Sequence, residues 1–593
     1  MVTVEQITLF AILGTALALF ARSRIRYDVV AVLALLAAVI TGLVPAEEAF
    51  LGFGHPAVIT VAAILVLSRA IGQTGLVDLA ARWLQRFSAS PTRHVFALGS
   101  LTAVLSAFIN NVGAVALVLP VALRSALDVA RPPSQILMPV SFASLLGGLV
   151  TLIGTPPNII IANLRAAQQG EPFGMFDFTP VGLGVALAGV IFVALIGWRL
   201  IPFRAEPSAD IDALFHIEDY ITEVRLPADT PFVGKRIIDL ETLAQGNIAV
   251  VALIRRKDRM LAPSGFLRLQ ADDILILESD TATLDKIVED AQLELVGTAE
   301  MTAENLRSER VGMLEVVVMP GSRMEGRTAR TLRLHSRFGL NLLGVAREGQ
   351  AIGERLGSLR FTAGDVLLLQ GEREAMPDAF SALGCLPLAE RGIAFGRRPT
   401  RLVSPLAFAG AILLVAIGLL PPQIAFVAAV AVIVIAGEVS LRDLYDSIDW
   451  SVIVLLGALI PVGMALETTG GSQVIAAPIL ALKGELPVWA LLALLMVVTM
   501  LLSDVMNNAA TAVLMAPIGI TIAQGLGADA DPFLMAVAVG ASSTYLTPIG
   551  HQSNLLVMGP GGYRFGDYWR MGLPLDVIIV AVAVPLILMV WPV

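Results

Sequence analysis

The sequence predicts an α-helical polytopic membrane protein made of two inverted repeats, each with a re-entrant hairpin and a broken helix, plus an inserted α+β cytoplasmic tandem domain. Three observations predict it. Of 593 residues, 56% are hydrophobic and only 15% are charged, where soluble domains run at roughly 25% charged. An uncharged stretch around Asn110-Asn111 returns far downstream around Asn507-Asn508. Charged residues crowd into one block between residues 205 and 400.

The elements follow in order. Residues 4–21 and 28–44 are two apolar runs, close to the roughly 20 residues that cross a bilayer. The first begins without a basic n-region or a small-residue cleavage site, so it reads as a retained helix. Arg22, Arg24 and Arg26 lie between the two runs, and a tight loop rich in Arg marks the cytoplasmic side. The N-terminus is thereby expected outside. A third run covers 55–73, with Arg69 near its inner end. Residues 75–87 are short and amphipathic, and read as an interfacial helix or an ordinary loop helix. Residues 95–123 carry no charge and hold Asn110-Asn111 at the middle. A re-entrant hairpin suits this stretch better than one span, because Arg93 and Arg124 both read as cytoplasmic. Residues 132–164 are too long for one regular helix, and Gly154-Thr155-Pro156-Pro157-Asn158 interrupts them. Such breaks free backbone carbonyls at mid-membrane, a common way to coordinate Na⁺ in transporters. Residues 179–201 span back toward Arg199 and Arg204.

In the charged block, short apolar runs such as 248–254 and 273–277 read as strands, and recur as 342–346 and 365–369. Arg255 and Arg347 lie 92 positions apart, as do Asp273 and Asp365. The expected domains are therefore 1–204 (first membrane repeat), 205–297 and 298–400 (two soluble β-rich domains) and 401–593 (second membrane repeat). Membrane segments resume at 402–418, 422–437 and 450–468. A second hairpin is expected over 487–520 and a second broken span over 532–563, interrupted around Gly550, His551 and Asn554. Residues 573–592 exit, which puts the C-terminus outside as well.

The halves align at fixed spacing. Gly75 and Gly471 lie 396 positions apart, as do Gly154 and Gly550, and Asn158 and Asn554. The Asn-Asn pairs lie 397 apart. Each half makes five crossings, an odd number, so the second must sit upside down. Inverted repeats with discontinuous helices are the architecture of secondary transporters.

An amide pair inside hydrocarbon is costly unless it binds something or bonds to protein. Two such pairs in like contexts point to one site made from two halves. Neutral amides and backbone N–H groups at helix N-termini can hold an oxyanion without a permanent cation. The expected substrate site uses Asn110, Asn111, Asn507, Asn508, Thr155 and His551. The expected sodium ligands at the breaks come from Gly154, Asn158, Gly550 and Asn554. Asn110 and Asn507 are open to a second reading, as caps of their hairpins. His551 reads as a substrate or proton partner, or as a neutral structural imidazole. Asp504 reads as a titratable group or as a residue at a wet helix end.

Several classes are excluded. A net charge of −9 leaves no basic surface for nucleic acid. A single cysteine, Cys385, rules out internal disulfides and all-thiolate metal sites. No nucleophile–base set marks an enzyme, and no Gly-x-Gly-x-x-Gly helix start marks a dinucleotide site in 205–400. A potassium-filter sequence is missing, which places a ligand-gated channel low.

Leu152-Ile153-Gly154-Thr155-Pro156-Pro157-Asn158 and Ala509-Ala510-Thr511-Ala512-Val513-Leu514-Met515-Ala516-Pro517 resemble motifs of the divalent anion/sodium symporter family, within the ion-transporter superfamily. The hairpin tips depart from that pattern: Asn110-Asn111-Val112 and Asn507-Asn508-Ala509 stand where the family has Ser-Asn-Thr. The central Asn111 and Asn508 match the family's Asn, which implies that both contribute to sodium binding as well as to the substrate site. The runs Gly234–Leu277 and Gly326–Leu369 resemble the C-terminal module of regulators of K⁺ conductance (TrkA-C type). The resemblance implies a sodium-coupled anion importer working by alternating access, for sulfate or a dicarboxylate, with Na⁺ as coupling ion and no other cofactor. It implies a homodimer in the plasma membrane, with residues 205–400 in the cytoplasm and open to a nucleotide or ion effector. The departing tips argue against assuming a dicarboxylate, and the insert tilts the anion toward sulfate. A Na⁺/H⁺ antiporter on the same scaffold is the alternative.

Overall fold

A backbone inside hydrocarbon must satisfy its own hydrogen bonds, so long apolar runs fold as helices. The structure is a computed structural model that describes residues 3–22, 26–72, 74, 87–129, 131–202, 221–243, 248–255, 258–261, 263–278, 281–297, 311–347, 350–352, 356, 359–373, 375–388 and 402–593. The amphipathic stretch expected at 75–87 lies outside them except for Phe87, as do Arg24 and Arg204.

Before the insert the helices are α1 (Val4–Arg22), α2 (Tyr27–Ile40), α3 (Pro56–Gly72), α4 (Pro91–Ser106), α5 (Asn111–Asp128), α6 (Leu137–Gly148), α7 (Pro156–Gln169) and α8 (Thr179–Phe192). After it come α9 (Val403–Ala416), α10 (Pro422–Ile435), α11 (Trp450–Thr468), α12 (Gly471–Leu480), α13 (Val488–Ser503), α14 (Asn508–Leu526), α15 (Asp531–Ser542), α16 (Gln552–Met558) and α17 (Tyr568–Val590). Helical structure continues beyond α8 to Leu200. Among the described residues, four helices are long and apolar enough to cross a membrane: Thr179–Leu200, Trp450–Thr468, Asn508–Leu526 and Phe565–Val590. Leu183, Leu187 and Ile191 are exposed at every fourth position of α8, a stripe that suits lipid contact.

Each half contains a hairpin and a break. α4 and α5 pack on one another around a turn at Ala107–Asn110, and α13 and α14 do so around Asp504–Asn507. α6 and α7 are separated by residues 149–155, and α15 and α16 by residues 543–551. Pro156 and Pro157 open α7 at its first positions, where a missing N–H costs little. α4 packs on α6, and α13 on α15. Gly147 permits the first contact: a Cβ there would stand 2.6 Å from the Ala103 Cα.

The insert folds as two antiparallel sheets of the same order. The first comprises β1 (Ile221–Arg225), β2 (Ala249–Arg255), β3 (Asp258–Leu261), β4 (Ile274–Glu278) and β5 (Glu294–Gly297), ordered β3-β2-β4-β1-β5. The second comprises β6 (Val311–Val318), β7 (Asn341–Arg347), β8 (Gln350–Ala351), β9 (Val366–Glu372) and β10 (Cys385–Pro387), ordered β8-β7-β9-β6-β10. Strand for strand the topology repeats, and register shifts interrupt β2 at Val250/Ala252 and β7 at Leu342/Gly344. The spacing of 92 residues has a physical cause. Arg255 makes a two-pronged ion pair with the buried Asp273 at 2.8 and 2.7 Å, and also donates to the Arg268 carbonyl. Arg347 does the same to Asp365 at 2.7 and 2.8 Å and to the Arg360 carbonyl. The Asp273 hydrogen bond holds the Arg255 guanidinium above its ordinary pKa, so it stays charged.

One face of each sheet covers its own small core, while Ala252, Ile276, Val317, Leu343, Val366 and Leu368 join the apolar core of the helical part. The turn at Gly364 (φ +88°) lies against α16: a Cβ there would come 2.7 Å from the Leu555 carbonyl.

Cys385 is buried at the start of β10, and burial pushes its thiol up to about 12. Thiolate is the reactive form, so a folded sample should resist maleimide at pH 7–8 and react only as it unfolds. Fast stoichiometric labelling of the native protein, followed by mass spectrometry, would contradict that placement.

Candidate functional site

The hairpin tips and the breaks meet, and they do so by the same bonds in both halves. Asn158, in the first turn of α7, donates to the carbonyls of Gly148 and Thr151 at 3.3 and 2.8 Å. Asn554, at the same place in α16, donates to those of Thr544 and Thr547 at 2.9 and 3.3 Å. Thr151 ties the first break to the Ala107 carbonyl, and Thr547 ties the second to the Asp504 carbonyl. Every partner in one half lies 396 or 397 positions from its counterpart in the other. Asn residues in a first helical turn thus close each break, and Thr hydroxyls pin it to the neighbouring hairpin tip.

The Asn pairs divide their work. Asn110 accepts from the Gly113 N–H at 2.6 Å, and Asn507 accepts from the Ala509 N–H at 2.9 Å. Both therefore use their side-chain oxygens as hairpin caps. Asn111 and Asn508 are buried, at 3% and 5% exposure. The Asn111 oxygen accepts from the Ser106 hydroxyl at 2.6 Å, which turns its NH₂ group outward. The Asn508 oxygen accepts from the Ala509 N–H at 2.8 Å, and its Nδ2 has no partner.

His551 brings the halves together. Its Nε2 stands 3.4 Å from Asn111 Nδ2. Its Nδ1 accepts from the Ser553 N–H at 3.1 Å, capping α16. A neutral imidazole with Nδ1 accepting carries its proton on Nε2. Two donors then face each other, and neither satisfies the other. Two donors so placed suit an acceptor such as an oxyanion oxygen. On the other side α14 packs on α7, whose N-cap Thr155 is buried with its hydroxyl unpaired. Four helices, α5, α7, α14 and α16, begin at Asn111, Pro156, Asn508 and Gln552. Helix N-termini carry partial positive charge and favour anions. Among the described residues no hydrogen bond joins Asn111 to Asn508.

Oxygens for a cation stand close by. Asn158 Oδ1 is buried without a partner, while Asn554 Oδ1 accepts from Ser141 at 2.7 Å. Glycine at 154 and 550 is a packing need: a Cβ at Gly154 would sit 2.5 Å from the Gly148 carbonyl, and one at Gly550 would sit 3.0 Å from the Ser503 carbonyl.

A family model described as citrate transporter matches residues 17–540 and, in an overlapping match, 487–593. The chain belongs to this family. It is a multi-pass membrane transporter by family and by its apolar helices, and its relatives are transporters rather than enzymes. An uncharacterized transporter of Synechocystis sp. is 32% identical over 98% of this chain and 96% of its own length. The Escherichia coli uncharacterized transporter YfbS is 29% identical over 99% of each chain. A probable sodium/sulfate cotransporter of Chlamydomonas reinhardtii is 27% identical over 55% of this chain and 38% of its own. Three interior residues of this citrate-transporter family member lie outside the expected site. Asp576 is the lone acid in the last apolar run, a readable signal. Tyr545 and Ser141 gave no such signal.

Proposed function

We propose that the chain is a sodium-coupled importer of a small inorganic anion, sulfate first, working by alternating access. The observation that carries the reading is the pair of facing donors, Asn111 Nδ2 and His551 Nε2, contributed by opposite halves. The unpaired Nδ2 of Asn508 and hydroxyl of Thr155 complete a neutral, donor-rich lining. Sulfate offers four acceptor oxygens and needs no tip hydroxyl. Sodium held by Asn158 Oδ1 and by the carbonyls around Gly154 and Gly550 would offset the anion's charge. The sodium/sulfate cotransporter relatives support this choice of solutes.

The matched bonds at Asn158 and Asn554 support two inverted repeats, 1–204 and 401–593, that meet at the site. Domains 205–297 and 298–400 are regulatory modules of TrkA-C type on the cytoplasmic side, open to a nucleotide or ion effector. The seat of the Gly364 turn on α16 gives such an effector a direct route to the break that ends at His551. The protein works as a homodimer in the plasma membrane with both termini outside.

Uptake of labelled sulfate into proteoliposomes tests the reading, with citrate, succinate and phosphate as competitors. Accumulation driven by an inward sodium gradient, and competed best by sulfate, is the expected result. Uptake indifferent to sodium overturns the coupling, and competition by citrate alone overturns the anion. The second reading, a Na⁺/H⁺ antiporter, draws on the buried Asp504 and requires proton flux without any anion.

A further inference from the structure

Behind the second hairpin lies a cluster of buried polar atoms that the anion site does not use. Asp504, at the hairpin tip, is 4% exposed. Its Oδ1 accepts from the Leu546 N–H at 3.0 Å, and its Oδ2 has no partner. Asp576, on α17, is 8% exposed and its Oδ1 has no partner. The Tyr545 and Thr544 hydroxyls are fully enclosed and unpaired as well. Backbone packing brings these groups together. Gly572 of α17 lies directly on the Tyr545 backbone, and Asp576 is one turn further along the same face. Asp504, Asp576 and Tyr545 lie within electrostatic reach of one another. No basic side chain pairs with either acid among the described residues.

The first half supplies an internal control. Gly182 of α8 packs on the Leu149 backbone as Gly572 packs on Tyr545. By that match, and by the spacing of the hairpin tips, the positions of Asp504, Tyr545 and Asp576 correspond to Ala107, Leu149 and Ala186. The same fold therefore closes this place with three apolar side chains. Two buried acids are not needed to build it, and acids without partners are costly. Such acids take up either a proton or a bound cation, and the unpaired hydroxyl oxygens beside them favour the cation.

We propose that Asp504 and Asp576, with the Tyr545 and Thr544 hydroxyls, form a sodium site of the second half only, separate from the carbonyl and amide ligands at the breaks. Two carboxylates and two hydroxyls are hard oxygen donors of the kind small hard cations take. Because Asp504 is bonded to Leu546 in the second break, an ion here would hold hairpin and break together. An extra cation on one side makes the two halves unequal, although their bonds at the breaks match.

The test uses the full-length protein in detergent, without any anion substrate. Binding of labelled Na⁺ and melting temperature are measured in sodium against choline at constant ionic strength. The Asp504→Asn and Asp576→Asn variants should each bind one fewer Na⁺ per chain, with sodium-dependent stabilisation shifted to about tenfold higher concentration or more. In choline both variants should melt at or above the wild type, since a like-charge contact is relieved. Wild-type Na⁺ binding in both variants would overturn the proposal, as would a loss of folding in choline. A melting temperature that follows pH and ignores sodium in the wild type would overturn it too, and would mark a proton site. Because no anion is present, these outcomes are independent of whether sulfate is the solute carried.

Discussion

Asn508→Ala is expected to leave a folded protein with sulfate uptake reduced to near background, and Asn111→Ala to do the same. On the proposed reading each change removes a buried NH₂ donor that faces the anion. A hydrogen bond to a charged group contributes about 1.5–3 kcal/mol, so apparent affinity should fall by roughly 10–100-fold for each. Asn507→Ala and Asn110→Ala make the contrast. Their oxygens cap the hairpins, and losing a cap costs about 1 kcal/mol of stability. Those variants should lower the melting temperature with a much smaller change in KM. Equal effects from all four substitutions would show that the pairs act only on folding. Transport kinetics and thermal denaturation on the same preparations decide between these outcomes.

Arg165→Ala should destabilise the helical part more than any cap. Arg165 at the end of α7 makes a two-pronged pair with Asp531 at the start of α15, at 2.8 and 2.9 Å. Asp531 is buried, and the guanidinium also donates to the Glu171 carbonyl and lies over Phe173. The pair joins the two halves. Removing Arg165 strands a carboxylate in the interior, at about 3 kcal/mol or more. Arg165→Lys should recover little, because an ammonium cannot match both oxygens. The Arg165→Ala/Asp531→Ala double variant should recover part of the loss, since the stranded charge is gone. A double variant whose loss equals the sum of the single losses in thermal denaturation would show no coupling between the two.

Much of this architecture is written in local chemistry. Amide pairs in apolar surroundings announce the hairpin tips, because such groups are too costly there to be incidental. Pro156-Pro157 and the glycines mark the first break, because they cannot continue a regular helix. Arg255/Asp273 and Arg347/Asp365 betray the duplicated insert, because both pairs hold the same turn. The rest depends on contacts that spacing does not encode. Arg165 and Asp531 are 366 residues apart and meet only through packing. The donor role of His551 follows from its cap on Ser553, which a scattered histidine does not advertise. Asp576 stands out as the lone acid of its span, but the groups it faces, Asp504 and Tyr545, belong to distant segments.

The central claim is that donors from opposite halves converge on one anion. A cryo-electron microscopy map of the protein in lipid nanodiscs, with sodium and selenate as a dense sulfate analogue, tests it most directly. The account predicts a strong peak within hydrogen-bond distance of Asn111 Nδ2 and His551 Nε2, facing Asn508. A selenate peak elsewhere, with Asn111 and His551 in contact only with protein, would contradict it.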